Sequence, residues 1–225
     1  MITQTQSKDF VRALTFFQSV LKDKDDTFLS LKNPSEGLYK VKGSKHFSFA
    51  FPVSSESDIK ERLSEIRVLH GAARHHCYAW RLGHDAASFR SNDDGEPSNT
   101  AGQPILGVLK SNAITNVLIV VVRYFGGTKL GVGGLISAYR TAASYAVASG
   151  TIVECIRTQT YLVKYPYTQM GVVMNVLKRA GVTPQKTNFQ LTCSLEASIR
   201  LRDASDFSVK LSNLDEVRVT EIHQI

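Results

Sequence analysis

The chain has 225 residues, 43% of them hydrophobic and 21% charged, so it has the composition of a folded globular protein and enough length for one large domain or two small ones. The longest purely apolar run, residues 117–122, is far short of the roughly 20 residues that a membrane-spanning helix needs. The net charge is +7, and 18 Lys and Arg against 13 Asp and Glu fall in residues 1–150, so a polyanion is a plausible partner for that part first.

In chain order, residues 8–22 form an amphipathic helix, with Phe10, Leu14, Phe17 and Leu21 on one stripe. A hairpin follows at 38–41 and 46–52, in which Phe47, Phe49 and Phe51 alternate with smaller residues around the basic turn "KGSK" at 42–45. The spacing of Ile59, Leu63, Ile66 and Leu69 predicts a helix over 55–69, and strands are expected at 75–82 and 86–91. The loop 91–104 leads into a helix through 105–109, with Thr100 and Gln103 at capping-box spacing. Residues 116–124 are apolar on both faces, which marks a central strand, and 135–149 form a helix capped by Gly150. Beyond 150 the order is strand, helix, strand, strand, helix, strand (157–165, 168–180, 183–189, 193–201, 203–211, 217–223), which is the split βαβ or ferredoxin-like arrangement.

Chemistry concentrates in four places. "RYFGGTKLGVGGL" (123–135) joins the central strand to a helix through Gly126, Gly127, Gly131, Gly133 and Gly134, with Arg123 and Lys129 as cations. Strand, glycine loop and helix N-terminus together suit an anion, because free amides point outward and no Cβ obstructs them. The same glycines also serve tight turns and close packing, and the spacing matches neither a Walker A nor a dinucleotide fingerprint. In "SNDDGEP", Asp93, Asp94 and Glu96 offer carboxylates for Mg²⁺ or a general base, and equally an acidic turn. "RHHCY" offers His75, His76 and Cys77 for a metal or a thiol nucleophile, without a diagnostic spacing, and equally a buried Cys between hydrogen-bonded histidines. Trp80 with Arg81, and Tyr124 with Arg123, interleave aromatic and basic groups as single-stranded nucleic acid would require, or as a core would. The three widely spaced cysteines give no disulfide framework, and the first residues do not read as an export signal, so the expected compartment is the cytoplasm.

Four stretches together, "SEGLYKVKGSK" (35–45), "ARHHCYAWRLG" (73–83), "DDGEPSNTAGQPIL" (93–106) and "VVVRYFGGTKLGVGGLISAY" (120–139), resemble the YigZ/IMPACT family. The resemblance implies an α+β protein. Residues 25–150 would form an α/β sandwich of the ribosomal-protein second-domain-like type, while the N-terminal helical extension at 1–24 has no counterpart in most relatives. Residues 151–225 would form a ferredoxin-like domain similar to the last domain of elongation factor G. It also implies a link to translation or RNA, with no established reaction and no cofactor. By position, the family's candidate surface maps onto Lys45, Arg123, Gly126, Gly127, Lys129 and Gly131 for an anion or nucleic acid, and onto His75, His76, Asp93, Asp94 and Glu96 as a polar cluster. Ser137 stands where Arg is frequent, Asn99 where Gly is usual, and His46 where an apolar residue is common. The leading expectation is a cytoplasmic protein binding RNA or the ribosome, without DNA sequence specificity and without a membrane. The alternative is a metal-assisted hydrolase or phosphotransferase built on the polar cluster. A protein partner, docked on the helix at 8–22 or on the second domain, is a third expectation.

Overall fold

The computed structural model of the chain describes residues 26–222. The helix expected at 8–22 lies outside them. The chain divides into two compact units, Phe28–Cys155 and a second that begins at Ile156 and takes in Asp26 and Thr27.

In the first unit the elements are β1 (Thr27–Leu31), β2 (Ser35–Val41), β3 (Ser44–Pro52), α1 (Glu56–Leu69), β4 (His75–Leu82), β5 (Ser88–Asn92), α2 (Gly102–Ser111), β6 (Val117–Tyr124), α3 (Gly131–Ser149) and β7 (Ile152–Ile156). Five strands form one sheet in the order β2-β3-β6-β4-β5, with antiparallel pairing throughout, while β1 and β7 pair separately. The apolar run of β6 sits at the centre because helices cover both faces. Ile119 and Val121 pack with α2 and α3, and Leu118, Val120 and Val122 pack with Ile59 and Ile66 of α1. That double cover removes the usual in-out alternation of an antiparallel strand.

On β3 the alternation runs the other way from what its side-chain sizes suggest. His46, Ser48 and Ala50 are fully buried under α3, and the larger Phe47, Phe49 and Phe51 are only partly buried on the α1 side. The reason is how closely α3 approaches the sheet. A Cβ on Gly37 of β2, directly opposite Ser48, would lie 2.8 Å from the backbone nitrogen of Ala146, so only small groups fit at that point beneath the helix, while His46 packs edge-on against Tyr139. At the start of α1, Ser55 Oγ accepts the Asp58 amide, and Asp58 accepts hydrogen bonds from Ser54 and Ser55, which hold its carboxyl down at about 2.

The second unit contains β8 (Thr158–Pro166), α4 (Met170–Arg179), β9 (Gln185–Asn188), β10 (Thr192–Arg200), α5 (Leu201–Ser212) and β11 (Arg218–Ile222). Its sheet order, β11-β8-β10-β9, is that of the ferredoxin-like fold. Alternate residues of β8 and β10, among them Val163, Tyr165, Cys193 and Leu195, make the core with Val173 and Leu177 of α4 and Phe207 and Leu211 of α5. The chain is therefore α+β in both units, and the short strands β1 and β7 were not legible because each depends on a partner far away in sequence. No helix among the described residues is long and apolar enough to cross a membrane.

Candidate anion-binding surface

The register around β6 orients its last residues. Arg123 lies opposite His46 of β3 on one side and His75 of β4 on the other. Directly opposed residues of antiparallel strands share a sheet face, and His46 fixes this one as the face under α3. Arg123 therefore points into the interior. Its side chain is 8% exposed, and its Nη1 donates to Oε1 of Glu96, itself 4% exposed, at 2.6 Å. The Tyr139 hydroxyl of α3 donates to the same oxygen at 2.8 Å. Arg123, expected as a surface cation, is instead half of a buried ion pair, because strand alternation and not nearness to the loop sets its direction.

His46 stands edge-on to Tyr139 with ring centroids 5.3 Å apart. Burial, and then the Arg123 charge, pull its pKa down to about 4. The unfolded chain binds a proton here near pH 6.5 and the folded one does not until about 4, so this contribution to stability is complete above 6.5 and lost as pH falls through that window. Replacing His46 by Leu is expected to remove about 2–3 kcal/mol of the stability change between pH 6.5 and 4, measured by urea titrations at both ends. Burial also lowers His70 and His76, so the variant retains a shallower slope of the same sign.

The loop 93–101 brings the expected polar cluster together, but every member is engaged in holding the fold. Oδ1 of Asp93 accepts the amides of Ala101 and Gly102 at 2.9 and 2.8 Å, and Oδ2 accepts that of Asn99. Asp93 thus caps α2 from outside the helix, in place of the expected Thr100 and Gln103 box. Thr100 bonds the Pro97 carbonyl, and Gln103 bonds Ser91. Asp94 accepts the His76 amide at 2.7 Å and Arg67 at 3.0 Å, and its carbonyl accepts from His75 Nδ1 at 2.9 Å. Asn99 takes φ 62°, a left-handed conformation that Asn tolerates well, so it fits a site suited to Gly. The Cys77 thiol donates to the Asp93 carbonyl at 3.0 Å, and burial pushes its pKa far above the usual range, which leaves it protonated and unreactive. Among the described residues, no three His, Cys, Asp or Glu side chains are grouped to hold a metal ion. A metal-assisted hydrolase needs these carboxylates to converge on an open point, and they do not. Trp80 and Arg81 also belong to the fold, since Trp80 is buried and Arg81 Nη1 donates to the Ile114 carbonyl at 3.0 Å.

Beyond Arg123 the chain turns outward, and Phe125 through Lys129 are exposed. Gly126 meets the β2–β3 turn: a Cβ there would lie 1.8 Å from the carbonyl carbon of Gly43, and its amide donates to Ser44 Oγ at 3.1 Å. The obstructing atoms, the Gly43 carbonyl group and the Ser44 nitrogen, are all backbone. Gly126→Ala is therefore expected to destabilise the unit by about 3 kcal/mol. At Gly133 an added Cβ meets nothing within 4 Å, so Gly133→Ala is expected to stabilise by about 0.5 kcal/mol, and thermal unfolding of the two variants checks both signs.

This clamp sets the basic turn against the glycine loop. Lys40 lies opposite Lys45, which lies opposite Tyr124, and Lys40, Lys42, Lys45 and Lys129 are all exposed. Like charges directly opposed across strands repel, unless an anion lies over them. Lys40 was missed in the sequence, where only the hairpin register could have found it. α3 starts at Gly131, four residues earlier than expected, so Gly131, Gly133 and Gly134 form its first turn. That turn has no side-chain cap and no acidic residue. Gly127 and Gly131 have φ of 90° and 72°, and beside both there is open space.

A family model described as the Impact N-terminal domain matches residues 42–147. The IMPACT family member YvyE of Bacillus subtilis (strain 168) is 30% identical over 188 residues, which cover 84% of this chain and 87% of the relative. The IMPACT family member YigZ of Escherichia coli (strain K12) is 29% identical over 182 residues, covering 80% and 89%. A crystal structure described as that of a hypothetical protein matches with a TM-score of 0.69 at 26% identity, covering 89% of this chain and 99% of that one. With the basic turn, the capping loop, the buried ion pair and the glycine turn all inside the region that the family model matches, and the likeness running through both units, the chain belongs to the IMPACT family.

Proposed function

We propose that this protein works alongside translation in the cytoplasm by binding RNA or the ribosome, with phosphate oxygens held at the first turn of α3. One observation supports this most: two helices of the same unit begin in opposite ways. The amides that open α2 are taken by the Asp93 carboxylate. Those that open α3 have no side-chain cap, lie on exposed residues, and are bordered by glycines with free space beside them. A helix N-terminus left like this suits an external anion, and Lys129, Lys42 and Lys45 supply charge from the adjoining loop and hairpin. The link to translation comes with family membership, and the phosphate chemistry comes from the loop.

The test is binding of a fluorescent RNA to the wild-type chain and to Lys42→Ala/Lys45→Ala/Lys129→Ala over a range of salt. Weakening that is uniform across RNA sequences supports the reading. Equal affinity of the two proteins overturns it. Arg123 is left out of this set because its guanidinium is buried against Glu96.

A further inference from the structure

The second unit has no glycine loop, but one end of its sheet carries a different set of contacts. There β8 ends and β10 and β11 begin. Lys164 of β8 lies directly opposite Arg218 of β11. Both alternate with core residues, so they share the sheet face turned away from α4 and α5, and both are exposed. Together with Tyr165, Pro166, Thr192 and Glu216 they line a concavity of about 350 Å³.

Just past Pro166, Tyr167 is 63% exposed, and its amide bonds the Leu191 carbonyl at 3.4 Å. That bond sets Tyr167 beside the β9–β10 turn, where Phe189 is 50% and Leu191 93% exposed. Three large open side chains at one turn exceed what a solvated turn requires, and two of them are flat aromatic platforms. Glu216 adds a further sign. It holds φ 60°, a conformation where Gly or Asn would sit with less strain, and strain kept at a concave site points to use of the side chain.

We infer that this end of the second unit binds an unpaired segment of RNA, with bases stacked on Tyr167 and Phe189 and phosphates against Lys164 and Arg218. The inference rests on the RNA reading above and names the class of RNA as single-stranded. A duplex keeps its base faces stacked away from such platforms, while a single strand presents them. The Glu216 carboxylate accepts hydrogen bonds only, so it favours bases with an exocyclic amino group, cytosine, adenine or guanine, over uracil.

The experiment measures binding of fluorescent oligo(C), oligo(U) and a duplex RNA of equal length. The proteins are the wild-type chain, Tyr167→Ala/Phe189→Ala, Lys164→Ala/Arg218→Ala and the Lys42/Lys45/Lys129 alanine variant, each checked for unchanged circular dichroism. The expected result is oligo(C) bound more tightly than oligo(U). The aromatic variant, which removes two platforms, should lose at least about thirtyfold in oligo(C) affinity while duplex binding holds. The Lys164/Arg218 variant should lower the log–log salt slope for oligo(C) by about 1.4. If the aromatic variant binds oligo(C) as the wild type does, the inference is overturned, whatever the loop variant shows. Binding of duplex alone by the wild type also overturns it and leaves the phosphate reading at α3 standing. Loss in the aromatic variant with none in the loop variant supports the inference and overturns the α3 site.

Discussion

Replacing Glu96 by Ala is expected to destabilise the first unit by about 3–5 kcal/mol, a larger effect than any change outside its ion pair with Arg123. The carboxylate is 4% exposed and accepts both the Arg123 guanidinium and the Tyr139 hydroxyl on one oxygen. Removing it leaves a guanidinium charge buried beside the neutral ring of His46, and leaves a tyrosine hydroxyl without its acceptor. Desolvation of the charge then goes uncompensated, and that penalty exceeds the loss of the hydrogen bonds themselves. Arg123→Ala is expected to cost a similar amount for the mirror-image reason. The double replacement Glu96→Leu/Arg123→Met should cost much less than the sum of the single ones, because it removes both charges together. Urea unfolding of the four proteins in a double-mutant cycle measures the coupling. A coupling near zero would show that the pair does not anchor the loop 93–101 to the sheet.

The second large effect lies at the surface. The Lys42/Lys45/Lys129 alanine variant is expected to bind RNA about a hundredfold more weakly at 0.1 M salt, with its log–log salt slope reduced by about 2 for a single strand. Each lost phosphate contact forfeits the release of condensed counterions, so the three losses multiply. All three lysines are exposed, so the melting temperature should stay near that of the wild type, unlike that of the Glu96 variant. Fluorescence anisotropy across a salt series reads both affinity and slope. A slope that does not change would remove the turn of β2–β3 and the glycine loop from the RNA contact.

The contrast between Arg123 and Lys129 shows how far sequence reasoning reaches. Both are cations bordering the same glycines, and both belong to the same motif. Lys129 follows the exit from the sheet and is exposed, whereas Arg123 is still within β6 and takes the inward side of its alternation. The parity depends on pairing with His46 and His75, from strands on either side. The carboxylates teach the same lesson. "SNDDGEP" announces acidic groups, but only the three-dimensional loop assigns Asp93 to a helix cap, Asp94 to β4 and α1, and Glu96 to the core. Nothing in the spacing of the three separates these roles.

The sequence by itself determined the order of the helices and strands other than β1 and β7, the split βαβ pattern after residue 150, the central place of β6, and family membership. These follow from burial periodicity and from long ordered motifs, which are properties of neighbours along the chain. Only the tertiary structure decided which polar groups face inward and which remain for a ligand. Glu96 and Arg123 are 27 residues apart, and Gly126 and Ser44 are 82 apart. Contacts of that reach are set by strand register and helix approach, and no local pattern carries them.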